Sequence, residues 1–201
     1  MHVNKECTNT LIINKSKFIC YINKCINEKE YKEYLSSIRK KHYDANHVCS
    51  ALICGDLKRS SDDGEPSGTA GKPILNMLER NNMNNTCAIV VRYFGGIKLG
   101  AGGLIHAYGN SVKECLLNAE KFESIKSNKF KLTVSMSLAH KIDNFMTNYT
   151  VILSKEYTEE VEYTFTVQDE YTEDIIDRIS EYTSGIRPKF IEEIYIDKIV
   201  K

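Results

Sequence analysis

The chain has 201 residues, with 27 Lys or Arg against 27 Asp or Glu, so its formal net charge is zero. This balance excludes the overall basicity of an indiscriminate nucleic-acid binder, and a hydrophobic content of 42% excludes a disordered chain. The length predicts one large domain or two small ones. No apolar stretch is long enough to be a membrane span or a signal core, so we expect a cytoplasmic protein without a membrane partner.

The chain contains seven cysteines, an odd number, and none of them forms a C-x-x-C pair. This pattern argues against a disulfide framework and against a zinc ribbon. We therefore expect free thiols that are mostly buried.

The first part of the chain predicts a mixture of strands and helices. Two extended segments, at about 8–14 and 16–22, flank Asn14 and Lys15 and predict a hairpin. Asn27 predicts the cap of a helix that has acidic residues in its first turn and basic residues in its last. Further along we expect a strand at 47–54, a polar loop at 55–70, a doubly buried strand at 87–91, and a helix whose buried face comprises Leu104, Ile105, Tyr108, Val112, Cys115, Leu116 and Ala119.

The polar loop carries three carboxylates within four residues, Asp62, Asp63 and Glu65. Carboxylate oxygens are ligands for a hard divalent cation, although the spacing matches neither an EF-hand nor a P-loop. In the alternative, the two aspartates cap turns and the glutamate is solvated. The same segment also contains Arg59, Ser67 and Thr69.

His47 precedes a predicted strand and shares one of its faces with Cys49. The two side chains could supply two metal ligands, but no second close pair is present to complete a site. A histidine that hydrogen-bonds to the acidic loop is the preferred interpretation. No nucleophile or metal-protease motif involves any of the histidines.

Five glycines fall within nine residues, between the buried strand and the long helix. Backbone amides and the helix dipole at such a place favour an anion, and Arg92 and Lys98 could supply positive charge. The spacing does not match the dinucleotide-binding fingerprint. In the structural alternative, Gly95, Gly96, Gly102 and Gly103 allow tight turns or close packing, and Arg92 pairs with the acidic loop.

Charge and patterning divide the chain near residues 123–129, where we place a linker between domains at 1–125 and 129–201. The stretch 1–125 has 17 basic and 13 acidic residues, net +4, whereas 126–201 has 10 basic and 14 acidic residues, net −4. The second part predicts a strand at 130–138, a helix, strands at about 150–157 and 160–168, a helix and a last strand at 189–197. This βαββαβ order predicts a ferredoxin-like sandwich, and the whole chain an α+β fold.

Residues 62–71 and 91–104, with Ala45 and His47 upstream, closely resemble the motifs of the YigZ/IMPACT family. The resemblance implies an N-terminal IMPACT domain with a ribosomal-protein-like fold. It also implies a C-terminal ferredoxin-like domain similar to the last domain of elongation factor G. The family includes eukaryotic regulators of translation. Where the family pattern leads us to expect arginine, this chain has the titratable His106.

We therefore expect a non-enzymatic, translation-related regulator that binds structured RNA, the ribosome or a translation factor, without a cofactor and without reading DNA sequence. Its expected anion-binding residues are Arg92, Tyr93, Gly95, Gly96, Lys98, Gly102, Gly103 and His106. The alternative is an enzyme that acts on a phosphorylated small molecule or nucleotide. In that case Asp62, Asp63 and Glu65 would hold a divalent cation.

Overall fold

The computed structural model describes residues 1–200, which form two compact units. The first comprises Met1–Glu123 together with Ile199 and Val200, and the second comprises Ser124–Lys198. Helices and strands mix in both, as expected for an α+β protein. None of the helices within residues 1–200 is long and apolar enough to cross a membrane. All seven cysteines are free thiols and five are buried, which confirms the sequence prediction.

An antiparallel five-stranded sheet forms the centre of the first unit. A two-residue strand, β1 (His2–Val3), precedes the sheet and pairs with Phe122 and Lys121. The sheet strands are β2 (Cys7–Ile13), β3 (Ser16–Lys24), β4 (His47–Cys54), β5 (Leu57–Ser61) and β6 (Thr86–Tyr93), in the spatial order β2-β3-β6-β4-β5.

The hairpin between β2 and β3 closes with a two-residue turn, and Ile13 pairs with Ser16. Asn14 and Lys15 both have positive φ angles, of 45° and 64°. Two successive residues with positive φ angles form a type I′ turn, whose twist matches that of the flanking strands. The predicted hairpin is confirmed.

Three helices cover the sheet of the first unit. They are α1 (Glu28–Lys41), α2 (Gly71–Arg80) and α3 (Gly100–Asn118). The side chain of Asn27 accepts a hydrogen bond from the Glu30 backbone N–H at 2.9 Å, so the predicted cap of α1 is confirmed. The buried face predicted for α3 is correct except at two positions: Ile105 is exposed, and Ala119 lies just after the helix and is half-buried.

Strand β6 lies at the centre of the sheet, paired with β3 on one side and β4 on the other. Its successive side chains enter different cores. Ala88 and Val90 pack with buried residues of α2 and α3, whereas Ile89 and Val91 pack with residues of α1. Burial on both faces explains the uninterrupted apolar sequence of this strand.

The prediction of a continuous polar loop at 55–70 is wrong, because Leu57–Ser61 forms β5. This strand has only β4 as a neighbour, and its central side chains, including Lys58 and Arg59, are exposed. An exposed edge strand lacks the alternation of apolar and polar residues that identifies a half-buried strand. The sequence analysis also missed α2, which buries Ile74, Leu75 and Leu78.

The second unit contains a four-stranded sheet with two helices packed on its apolar face. Its elements are β7 (Lys121–Val134), α4 (Met136–Tyr149), β8 (Val151–Tyr157), β9 (Val161–Gln168), a 3₁₀ turn (Asp169–Tyr171), α5 (Thr172–Tyr182) and β10 (Lys189–Val200). The strands lie in the order β10-β7-β9-β8. Phe130, Tyr163 and Phe165 pack against Ile142 and Ile179 in the core.

Two sequence predictions in this region differ from the structure. Residues 123–129, interpreted as a linker, lie inside the continuous strand β7. Met136 and Leu138, assigned to the same strand as Phe130, lie in α4 instead. Polar residues occur at exposed positions of strands as well as in linkers, so the composition of residues 123–129 does not distinguish the two. Met136 and Leu138 form too short a pattern to show whether the period is that of a strand or of a helix.

Candidate functional site

Asp62 lies just after β5, and its carboxylate caps α2. It accepts hydrogen bonds from the backbone N–H groups of Gly68 at 2.8 Å, Ala70 at 3.0 Å and Gly71 at 2.8 Å. The residue that immediately precedes α2, Ala70, offers no side-chain cap of its own. Asp62 therefore supplies from eight residues upstream what an N-cap side chain normally supplies.

Replacing Asp62 by alanine is expected to lower the free energy of unfolding by about 1–2 kcal/mol, because three backbone amides lose their acceptor and two of them, those of Ala70 and Gly71, belong to buried residues. Burial raises the pKa of Asp62, but the three backbone hydrogen bonds outweigh it and the net pKa is lowered from 3.8. A lowered folded-state pKa stabilises the protein above pH 3.8, and this stabilisation is lost as the pH falls through the folded value.

Urea denaturation at pH 7 and at several pH values below 4 measures both effects. Asp62→Ala should flatten the acid limb of the stability curve, whereas Asp56→Ala, in the exposed turn between β4 and β5, should leave it unchanged. Equal acid sensitivity of the parent and Asp62→Ala would contradict the capping role.

Asp63 anchors the same loop to the start of β4 and to α1. Its carboxylate accepts hydrogen bonds from the Val48 backbone N–H at 2.7 Å and from the Arg39 guanidinium at 2.6 Å. The ring Nδ1 of His47 donates to the Asp63 carbonyl oxygen at 2.9 Å, so the expected contact between His47 and the acidic loop is confirmed. Burial raises the pKa of Cys49 to about 12, and its protonated thiol donates to the carbonyl oxygen of Asp62.

Glu65 and Arg92 form a buried ion pair beneath the loop. The side chains are 3% and 6% exposed, and Arg92 Nη1 lies 2.6 Å from Glu65 Oε1. Burial, reinforced by Cys49 and Glu65, raises the pKa of Tyr108, so its hydroxyl stays protonated and donates to Glu65 at 2.7 Å. The rings of Phe18 and Phe94 each lie 5.5 Å from the guanidinium carbon.

The three carboxylates of the acidic loop have separate protein partners. Asp62 binds amides, Asp63 binds Arg39 and Val48, and Glu65 binds Arg92. Within residues 1–200, no group of three or more His, Cys, Asp or Glu side chains is arranged to hold a metal ion. The geometry therefore gives no support to a divalent cation at Asp62, Asp63 and Glu65.

Gly95 is required by a close approach between two segments of backbone. A Cβ atom at this position would lie 2.0 Å from the carbonyl carbon of Lys15 and 2.4 Å from the backbone nitrogen of Ser16. The Gly95 N–H also donates to Ser16 Oγ at 3.2 Å. Gly96 has a φ of +83°, so the structural interpretation accounts for both glycines.

Gly100, the first residue of α3, also has a positive φ, of +70°, but Gly102 and Gly103 are less constrained. A Cβ atom at Gly102 would meet nothing within 4 Å, and one at Gly103 would approach only Leu99 at the start of the same helix. Leu99 provides no side-chain cap, and Lys98 beside it is exposed. The first turn of α3 therefore presents backbone amides next to a lysine, the arrangement that favours an anion.

A cavity of about 280 Å³ lies beside this first turn. One of its lining residues is the buried Arg92, whose Nε has no hydrogen-bond acceptor among the described residues. The complete lining is Glu65, Pro66, Arg92, Phe94, Lys98, Leu99, Gly100, Ala101 and Leu104.

The remaining predicted residues lie in several places. Thr69 Oγ1 donates to the Pro66 carbonyl at 2.6 Å, whereas Ser67 is exposed on the loop. Arg59 lies 3.6 Å from Glu28 of α1. The Tyr93 hydroxyl binds the His42 ring and Asp44, while His106 is exposed on α3. Of the predicted residues within 1–200, Glu65, Arg92 and Lys98 meet at the cavity, together with the start of α3.

Comparison with known proteins places this geometry in a family. The model of the Impact N-terminal domain matches residues 14–116, which include the acidic loop, β6 and most of α3. The IMPACT family member YvyE of Bacillus subtilis is 38% identical over 195 residues, covering 94% of this chain and 90% of that protein. The chain belongs to the IMPACT family. The resemblance seen in the sequence motifs is confirmed.

Other IMPACT relatives and structures show similarity over parts or all of the chain. The family member YigZ of Escherichia coli is 44% identical over 109 residues, covering 52% of this chain and 53% of that protein. The crystal structure of a hypothetical protein aligns at 28% identity with a TM-score of 0.60, covering 95% of this chain and 96% of that one. The two-domain translational regulator Yih1 aligns at 21% identity with a TM-score of 0.33, covering 57% of this chain and 45% of that one.

The sequence analysis did not identify two residues that contact the Glu65–Arg92 pair. Tyr108 was assigned to the buried face of α3, but its hydroxyl group also binds Glu65. Phe94, which follows β6, is 46% exposed and covers Arg92. A glycine-rich segment is expected to reverse the chain and not to pack against a core. The presence of an aromatic residue in such a segment was the signal that could have identified Phe94.

Proposed function

We propose that this IMPACT-family chain is a translation-related regulator that binds structured RNA through the segment between β6 and α3. The observation that carries the proposal is the uncapped first turn of α3 beside the exposed Lys98. Phosphate oxygens of an RNA backbone match these amide donors and this charge. Family membership supports the connection with translation.

Further positive charge surrounds the same end of β6. Lys17 pairs with Tyr93 in the sheet, and the backbone of Lys15 approaches Gly95. Lys41 lies 4.8 Å from the ring of Tyr21, one of the two tyrosines that hydrogen-bond to His42. The side chains of Lys15, Lys17 and Lys41 are exposed, so the local charge supports contact with a polyanion although the whole chain is neutral.

The two-unit architecture supports ribosomal RNA as the target. As part of the proposal, the first unit is a ribosomal-protein-like IMPACT domain. The second, with strand order β10-β7-β9-β8, is a ferredoxin-like domain similar to the last domain of elongation factor G. The competing possibility is that the partner is a translation factor, and the experiment below distinguishes the two.

The test measures the binding of a structured ribosomal RNA fragment by fluorescence anisotropy, at salt concentrations between about 50 and 200 mM. Affinity should fall steeply with salt, and Lys98→Ala should lower it about fivefold and reduce the logarithmic salt slope by about 1, because one phosphate contact is lost. Lys113→Ala, at an exposed position about four turns further along α3, should match the parent.

Three results would overturn the proposal. They are no RNA binding at 50 mM salt, equal effects of Lys98→Ala and Lys113→Ala, and salt-insensitive binding to a translation factor alone. Because both lysines are exposed, neither substitution should disturb the fold. Circular dichroism of each variant checks this.

A further inference from the structure

An arginine of the second unit lies against aromatic rings between α4 and α5. The guanidinium carbon of Arg178 is 4.8 Å from the ring centroid of Phe145 and 4.9 Å from that of Tyr149. These two rings are themselves stacked, with their centroids 4.8 Å apart, and the ring of Tyr182 lies 5.2 Å from that of Phe145. Contact with ring faces holds a guanidinium in a fixed orientation without using its N–H donors.

The donors of Arg178 have no close acceptor within the protein. Its only ion-pair partner among residues 1–200 is Asp174, one turn earlier on the same helix, at 3.9 Å. That distance is too long for a hydrogen bond, and the Asp174 side chain is 75% exposed. No other described residue forms a hydrogen bond with the guanidinium. Arg178 therefore presents oriented, unused donors to a ligand from solvent.

These donors face a pocket that is positively charged, which we call the cationic pocket. Its volume is about 280 Å³, and Lys141, Asn144 and Asn148 complete the lining formed by Arg178 and the three rings. No carboxylate belongs to this lining among the described residues. Two cations and two amides complement an anion, and the planar fork of an arginine binds a carboxylate in bidentate fashion.

A second cavity, of about 410 Å³, adjoins the cationic pocket. Asn148 and Tyr149 line both and form their common wall. The surface of this second cavity is mostly apolar and includes Ile125, Val151 and Ile196. Its two charged residues have opposite signs, so they give it no net charge. The second cavity therefore suits an uncharged apolar side chain.

The charge around the two cavities favours a protein partner over RNA. The stretch 126–201 has a net charge of −4, and α5 alone carries Glu173, Asp174, Asp177 and Glu181. A nucleic acid would bring several neighbouring phosphates close to these carboxylates, and like charges repel. A protein segment can present a single carboxylate with uncharged residues beside it.

Successive side chains of an extended segment point to opposite sides of its backbone. Two neighbouring residues of a bound segment can therefore reach the cavities on the two sides of Tyr149. We propose that this surface binds a protein segment in which an acidic residue is next to an apolar one. The carboxylate lies on Arg178 and Lys141, and the apolar side chain fills the second cavity. The inference goes beyond RNA binding by the first unit and does not depend on it.

Fluorescence anisotropy of short labelled peptides with blocked termini tests the chemistry, using the full chain at up to about 1 mM. The probe is Gly-Leu-Glu-Leu-Gly. It should bind about tenfold more tightly than Gly-Leu-Gln-Leu-Gly, which lacks the charge, and than Gly-Ser-Glu-Ser-Gly, which lacks the apolar neighbours. No binding of the probe, or equal affinity for the probe and either control peptide, would overturn the inference.

Charge variants test the location of the carboxylate. Lys141→Ala and Arg178→Gln should each weaken binding of the probe about fivefold, because each removes one cation from the pocket. Lys189→Ala removes an exposed cation of the second unit that lines neither cavity, and it should match the parent. Lys141 is exposed, so its variant tests the site even if Arg178→Gln disturbs the packing of the rings. Equal effects of Lys141→Ala and Lys189→Ala would refute the inference.

A second pair of variants tests the apolar cavity. Val151→Glu places a carboxylate at an exposed residue of the lining and should weaken binding of the probe about fivefold. Ser154→Glu adds the same charge at an exposed position of β8 outside the lining and should bind like the parent. Equal binding by these two variants would contradict the inference. So would displacement of the probe by a five-nucleotide uridine RNA more readily than by the unlabelled probe, because the site would then prefer RNA.

Discussion

Replacing Glu65 by alanine is expected to lower the free energy of unfolding by about 3–5 kcal/mol. The substitution leaves the guanidinium of Arg92 buried without a counterion, since its side chain is only 6% exposed. It also removes the acceptor of the Tyr108 hydroxyl. Removal of one partner from a buried pair costs more than the pair itself contributes, because the remaining charge stays desolvated. Urea denaturation measures the change.

A double variant separates this explanation from a simple loss of packing. Glu65→Leu combined with Arg92→Leu should recover much of the stability lost in Glu65→Leu alone, since no uncompensated charge remains. Glu79→Ala serves as the control, because Glu79 pairs with Lys58 in a more exposed ion pair at 2.8 Å. It should leave the denaturation midpoint nearly unchanged. If Glu65→Ala behaved like Glu79→Ala, the scaffold role of the Glu65–Arg92 pair would be disproved.

Gly95→Ala is expected to destabilise the first unit by about 3 kcal/mol, a large effect for one added methyl group. The new Cβ would lie 2.0 Å from the Lys15 carbonyl carbon and 2.1 Å from its oxygen. These atoms belong to the tight turn between β2 and β3, so they cannot move without disturbing the pairing of Ile13 with Ser16. Thermal unfolding followed by circular dichroism measures the change.

Gly102→Ala is the matched control within the same glycine-rich segment. A Cβ atom at Gly102 meets nothing within 4 Å, and the residue lies in α3. Alanine should therefore stabilise the helix by up to about 1 kcal/mol. Destabilisation of similar size in both variants would contradict the assignment of Gly95 alone to the close approach. Gly102 does not line the cavity beside α3, so Gly102→Ala also leaves the cavity lining unchanged.

The elements that were predicted from sequence are those with a strong local signal. The hairpin at Asn14 and Lys15, the cap at Asn27 and the apolar strand β6 each depend on neighbouring residues. Turn conformation, capping and burial on two faces act over short stretches of chain. The IMPACT motifs were equally visible, because they are long and nearly uninterrupted.

The elements that were missed lack such a signal. Strand β5 lies at an edge with most of its side chains exposed, so no alternation marks it. Helix α2 begins at Gly71 with a cap provided by Asp62 rather than by an adjacent residue. The polar stretch inside β7 is paired on a sheet, and its composition alone does not distinguish it from a linker. In each case the neighbours that stabilise the segment are distant in sequence.

The sequence by itself determined the local elements, the family and the segments in which a site should be sought. It left open whether the acidic loop and the glycine-rich segment form a binding site or a scaffold. The tertiary structure decided the partners of each residue: Asp62, Asp63 and Glu65 bind protein groups, whereas Lys98 and the first turn of α3 are exposed. The neutral net charge likewise says nothing about the positive end of β6. A carboxylate has the same chemistry whether it meets solvent, metal or arginine, and only the folded chain determines which of them lies within hydrogen-bonding distance.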